Sequence, residues 1–210
     1  AGRINFSRGK IRIGGEYAYK INDPSFNNGY LYKPGEAILI NATYSKKGIG
    51  VSFSAKRVDN MSFRSDRDAS LTDLAIGYQP ALAKQHSYSL FTFYPYSSQP
   101  DGEIGYQGEI IYKIKKESIL GGKYGTDIAI NYSGANGLDT TNLNPAQDSA
   151  RQGYTAKYFA MGDTYYGEIN LEITHKFSPK LKTILMYSNQ LYNKDIIQGA
   201  GGYGTIYANI

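Results

Sequence analysis

The sequence predicts an all-β protein, an antiparallel up-and-down transmembrane β-barrel with about ten strands in this chain and part of a larger barrel. Three observations carry that expectation. Apolar and polar residues alternate with a period of two almost everywhere, and helical periodicity is nearly absent. The alternating runs are about 9–14 residues long, whereas strands of soluble proteins run about 5–6 and a tilted strand crossing a bilayer needs about 9–11. Long and short connections alternate along the chain, as they do between the two sides of an outer-membrane barrel.

The predicted strands, in order, are Lys10–Ile21, Glu36–Ser45, Gly48–Arg57, Leu71–Gln79, His86–Pro95, Glu103–Lys115, Lys123–Ser133, Thr164–Phe177, Lys180–Tyr192 and Gly202–Ile210. The clearest is Thr164–Phe177. One of its faces reads Tyr165, Gly167, Ile169, Leu171, Ile173, His175, Phe177, and the other reads Thr164, Tyr166, Glu168, Asn170, Glu172, Thr174, Lys176. In Gly48–Arg57 the apolar set is Ile49, Val51, Phe53, Ala55. The short turns are Lys46–Lys47, Pro80–Gln85, Lys116–Gly122 and Ser178–Pro179, and they are expected on the periplasmic side. The long loops, containing Pro24, Arg67, Pro100, Asn144 and Gly199, are expected outside, the longest running from Gly134 to Asp163. Tyr and Phe gather near strand ends (Tyr17, Tyr19, Tyr94, Tyr96, Tyr187, Tyr192), where aromatic girdles belong.

Composition agrees with one all-β domain over residues 1–210, expected to be incomplete at both ends. There are 21 Tyr and 24 Gly, against no Trp, no Cys and 3 Met. Tyr suits strands and interfaces between oil and water. Mean hydropathy is −0.45. A barrel can be this polar, because alternate residues face an aqueous lumen. No stretch approaches the roughly 18 apolar residues of a transmembrane helix. The absence of Cys excludes disulfides, thiolate zinc sites and a Cys nucleophile. Net charge is +5, but Lys and Arg are spread along the chain, which gives nucleic-acid binding no footing. Residues 1–9 have no apolar core of a signal peptide.

Four stretches, GVSFSAKRVDNMSFRSDR (Gly50–Arg67), HSYSLFTFYPYSSQPDGEIGYQGE (His86–Glu109), LGGKYGTDIAINYS (Leu120–Ser133) and YYGEINLEITHKFSPKLKTILMYSNQLYN (Tyr165–Asn193), resemble a family of uncharacterised Bacteroidetes outer-membrane β-barrel proteins defined by a domain of unknown function. The resemblance implies a Gram-negative outer membrane, no assigned catalytic residues, and a chain that is an internal fragment of a longer protein. Gly202–Ile210 independently reads as a strand that stops early.

No motif supports an enzyme, a cofactor or a metal. His86 is placed at the start of a strand and His175 on an apolar face, both in structural roles, although Ser87 or Ser89 beside His86 invites comparison with a hydrolase. Arg64, Asp66, Arg67 and Asp68 read as a solvated, self-paired loop, since no calcium-loop spacing is present. Gly121-Gly122 and Gly199 to Gly204 read as turn glycines. The functional candidates are the polar residues expected to face the lumen: Glu16, Lys20, Ser52, Ser54, Lys56, Asp73, Gln107, Glu109, Lys113, Asp127, Asn131, Glu168, Asn170, Glu172 and Lys176. Such a lining suits either a hydrated channel or a closed plug of salt bridges. The function expected is transport or structure in the outer membrane. The expected partners are outer-membrane lipid and envelope proteins meeting the long loops. The alternatives are a docking component of a larger envelope complex, or a soluble barrel or sandwich that binds carbohydrate or lipid.

Overall fold

The computed structural model describes residues 1–66, 69, 73–76, 79–143, 153–197 and 205–209. Nine strands form one antiparallel sheet: β1 (Gly2–Arg8), β2 (Ile11–Lys20), β3 (Gly35–Lys46), β4 (Ile49–Asp59), β7 (Gly102–Ile114), β8 (Thr126–Asn142), β9 (Tyr154–Lys176), β10 (Lys182–Asn193) and β11 (Thr205–Asn209). Each main strand pairs with the next along the chain, so the sheet is a simple meander. β5 (Phe63–Arg64) and β6 (Ala75–Ile76) pair only with each other. β1 and β11 are the two ends of the sheet, and among the described residues no pairing joins them. The sheet is therefore open.

The strands are long because alternation is long. β4 has 11 residues, β7 has 13, β8 has 17 and β9 has 23. The register keeps every alternating set on one face. One row across the sheet reads Thr43, Ser52, Glu109, Asn131, Asn170, Ser188, and the next reads Asn41, Ser54, Gln107, Ser133, Glu168, Gln190. On the opposite face the rows read Ala42, Phe53, Gly108, Tyr132, Ile169 and Tyr44, Val51, Ile110, Ile130, Leu171, Tyr187. A slip of one residue anywhere would exchange the two sets.

Burial runs opposite to that of a water-soluble sheet. Ile130 is 45% exposed and its neighbour Asn131 2%; Ile169 is 45% exposed and Glu168 2%; Tyr187 is 48% exposed and Ser188 0%. The apolar face lies open, and the polar face is enclosed over its middle, at Asn131, Glu168 and Ser188.

Two of the ten expected strands are absent from the sheet. Of Leu71–Gln79, the described residues 73–76 and 79 contribute only the two residues of β6, and Leu74 takes a left-handed φ of +55° that breaks an extended run. His86–Pro95 forms a 3-10 turn at Ser89–Phe91. β4 pairs with β7 along its whole length, Ile49 with Tyr112 through Asp59 with Gly102, so no edge remains for two further strands. Prolines at 80, 95 and 100 add to this, since each lacks the N–H a ladder requires. Pro80–Gln85 is accordingly not a short turn between strands. Conversely, β1 is a strand that the expected set omits, and most of the expected loop Gly134–Asp163 is strand, the far part of the β8–β9 hairpin.

The loss of an even number of strands keeps the remaining short turns together at one end of the sheet and the long connections at the other. Short turns at residues 9–10, 47–48 and 177–181, and a longer one at 115–125, share one end of the sheet. Residues 21–34, 60–101, 143–153 and 194–204 connect strands at the other end. The expected loop residues Arg67, Asp68, Asn144, Asp148 and Gly199 to Gly204 lie outside the described residues.

Candidate functional site: the polar face and the segment that covers it

The polar face is built by alternate residues of β2, β3, β4 and β7 to β10, and the described part of residues 60–101 lies against it. Three acidic residues of the sheet hold that segment. The Lys56 ammonium sits 2.9 Å from Glu103 Oε1 and donates to the Pro80 carbonyl at 2.7 Å and to Ser98 Oγ. Glu103 also accepts from the Tyr96 hydroxyl at 2.6 Å and from the Gln99 amide N–H at 2.7 Å. Gly105 makes this possible: a Cβ there would stand 2.9 Å from Glu103 Oε1 and 3.0 Å from Lys56 Cε. Burial and the adjacent Glu103 carboxylate push the Tyr96 phenol far up, so it remains a donor.

The second anchor is Lys84, which pairs with Glu109. The third is His86, whose Nε2 is 2.5 Å from Glu168 Oε1. Glu168 is the hub of the face. It also accepts from Gln190 Nε2 at 2.7 Å, from Ser188 Oγ at 3.1 Å and from the Tyr166 hydroxyl at 2.6 Å. Ring contacts complete the interface: His86 stacks on Phe91, Tyr96 on Tyr166 with centroids 4.9 Å apart, and Tyr94 meets Tyr192.

At the long-loop end, Lys20 donates to the Ser62 carbonyl at 2.6 Å, and the Ser62 hydroxyl donates to Asp101. Burial pushes the Asp101 carboxyl above its ordinary range. The β8–β9 hairpin reaches this end of the sheet: Arg57 meets Glu36 and Asp59 and lies over the Tyr158 ring, and the Tyr154 hydroxyl donates to Asp59 at 2.6 Å.

Of the expected lumen-facing residues, the register puts Glu16, Lys20, Ser52, Ser54, Lys56, Gln107, Glu109, Lys113, Asp127, Asn131, Glu168, Asn170, Glu172 and Lys176 on the polar face. The network above brings together Lys56, Glu109 and Glu168. Lys113 and Asp127 pair with each other toward the short-turn end, 3.3 Å apart and exposed. Asp73 is not on this face: it lies in an exposed turn before β6. Arg64, expected in a solvated loop, is buried and donates to the Ala69 carbonyl and to Asn27 Oδ1. His86 belongs to no strand. Its side chain is buried against Glu168, and Ser89 lies in the 3-10 turn. His175 does sit in a strand, with Nδ1 2.6 Å from Thr126 Oγ1.

No local feature of the chain marks His86 as a partner of Glu168, 82 residues away. Glu103 opens a predicted strand, and nothing local marks the full burial it has against Lys56, Tyr96 and Gln99. Among the described residues no group of three or more His, Asp or Glu could hold a metal ion.

Fold and site together define an open antiparallel meander with an apolar exposed face and a polar face partly covered by its own chain. The chain belongs to the family of unknown function DUF6029, whose model matches residues 1–210. No curated protein and no solved structure matches it.

Proposed function

We propose that this chain forms wall strands of a Gram-negative outer-membrane β-barrel, and that residues 60–101 are a plug in its lumen that gates transport. The observation that carries this reading is the inverted burial, with Ile130, Ile169 and Tyr187 open while Asn131, Glu168 and Ser188 are enclosed. In water, an open face of Phe, Ile, Leu and Tyr spanning this many strands exceeds what monomers expose. In lipid it is the favourable arrangement, because the strands satisfy their own backbone groups and present apolar side chains to the acyl chains. A plug tied by ion pairs and hydrogen bonds, rather than by an apolar core, resembles a wet interface that can be exchanged for water.

Asp59 and Gly102 are direct cross-strand partners, so the plug can be replaced by an Asn-Gly turn without stretching the sheet. We expect that shortened protein to enter the outer membrane, to show heat-modifiable gel migration, and to give conductance steps in planar bilayers that the intact protein lacks. A correctly inserted but silent protein would contradict gating. It would favour the second reading, a docking component of an envelope complex. That reading draws on the 23-residue β9, which is longer than a membrane crossing needs and carries the almost wholly exposed Phe159 near its start.

A further inference from the structure

Between residues 79–96 and the sheet lies a recess of about 480 Å³, lined by Phe91, Tyr94, Tyr96 and Tyr166 and by the polar side chains of Gln79, His86 and Gln190. Its size falls within the ~300–1,000 Å³ of small-molecule sites. Three polar atoms of its lining are buried and have no hydrogen-bond partner: Gln79 Oε1, His86 Nδ1 and Gln190 Oε1. The His86 side chain is only 4% exposed, and Gln190 as a whole 2%. Buried polar atoms in native proteins are nearly always satisfied, so three orphans around one recess point to an occupant.

Their chemistry narrows what that occupant is. Both amide oxygens accept only. His86 presents Nε2 to the Glu168 carboxylate, so Nε2 carries a proton, and Nδ1 is a third acceptor whenever the ring is neutral. Lys84, also in the lining, is already held by Glu109, so no free ammonium is offered to an anion. Three acceptors call for a ligand with several donors, and four aromatic rings call for flat C–H surfaces that meet their electron-rich faces. A hydroxyl also remains matched if His86 is protonated, since it accepts as readily as it donates, whereas an organic cation would then be repelled.

We propose that this recess binds a small uncharged sugar, a mono- or disaccharide, with hydroxyls on Gln79, His86 and Gln190 and a ring face against the tyrosines. The recess exists whichever solvent meets the apolar face of the sheet, so failure of this proposal leaves the membrane reading standing.

The test is saturation-transfer NMR on the full chain in detergent, with glucose, mannose, N-acetylglucosamine and maltose as probes and selective irradiation of aromatic protons. At least one probe should show saturable transfer to its ring C–H protons. Gln79→Leu, which removes one acceptor and leaves the Glu168 hub intact, should weaken that binding about tenfold. Ser87→Ala, exposed on the same segment, should not. If the leucine variant does not fold, the aromatic transfer in the native chain decides alone. Silence from all four sugars with folded protein, or binding unchanged by Gln79→Leu, would mean that the recess holds water only and would overturn the proposal.

Discussion

Glu168→Ala is expected to be among the most damaging single substitutions in the chain, costing about 3–5 kcal/mol. Four donors converge on that carboxylate, from His86, Tyr166, Ser188 and Gln190, and all four side chains are buried. Removing it strands each of them, and one belongs to residues 60–101. The loss should therefore have a local signature. Limited trypsin digestion should cleave at Lys84 in the variant and spare the native protein, while the long strands keep their β-sheet circular dichroism. Glu168→Gln keeps the shape and one acceptor oxygen, so it should cost roughly 1–2 kcal/mol. Urea midpoints in detergent measure both. A Glu168→Ala midpoint shift worth under about 0.5 kcal/mol, the level of an ordinary surface change, would show that Glu168 is not the hub.

The second large effect is at the Lys56–Glu103 pair, in which both side chains are almost fully enclosed. Lys56→Met leaves a buried carboxylate whose remaining partners are the Tyr96 hydroxyl and the Gln99 amide, and it should cost about 3–5 kcal/mol. Glu103→Leu should cost a similar amount, because an ammonium is left against only the Pro80 carbonyl and Ser98. The double variant Lys56→Met, Glu103→Leu removes both buried charges. Its loss should fall well short of the sum of the two, by a coupling of about 2–3 kcal/mol. Additive losses would mean that the two groups act separately. Measuring all three variants by urea unfolding closes the cycle.

What the sequence made legible follows from what period two encodes. The alternation in β4, β7, β9 and β10 assigns faces correctly, and fourteen of the fifteen expected lumen residues share one face, Asp73 being the exception. Alternation does not say which neighbours pair. Leu71–Gln79 and His86–Pro95 alternate well enough, yet β4 and β7 use each other's edges first, and the intervening chain is left to cover the polar face. Tertiary context here overrides local pattern. β1 is not legible as a strand because Ile4 and Phe6 give only two apolar beats in seven residues. The β8–β9 extension was hidden by register shifts between Ala135 and Thr140, which interrupt the pattern just where the expected strand ended. The site itself depends on contacts such as His86 with Glu168 and Gln190 with Phe91, 82 and 99 residues apart, for which no local signal exists.

The most direct test of the central claim asks what touches the apolar face. The chain has no Cys, so single-cysteine variants carry one nitroxide each without background. Labels at Phe53, Ile130 and Ile169, on the open face, should collide freely with dissolved oxygen and be shielded from a water-soluble nickel chelate in native outer membranes. Each label would then be in hydrocarbon, as wall strands of a barrel require. High nickel accessibility at all three positions would place that face in water and contradict the account.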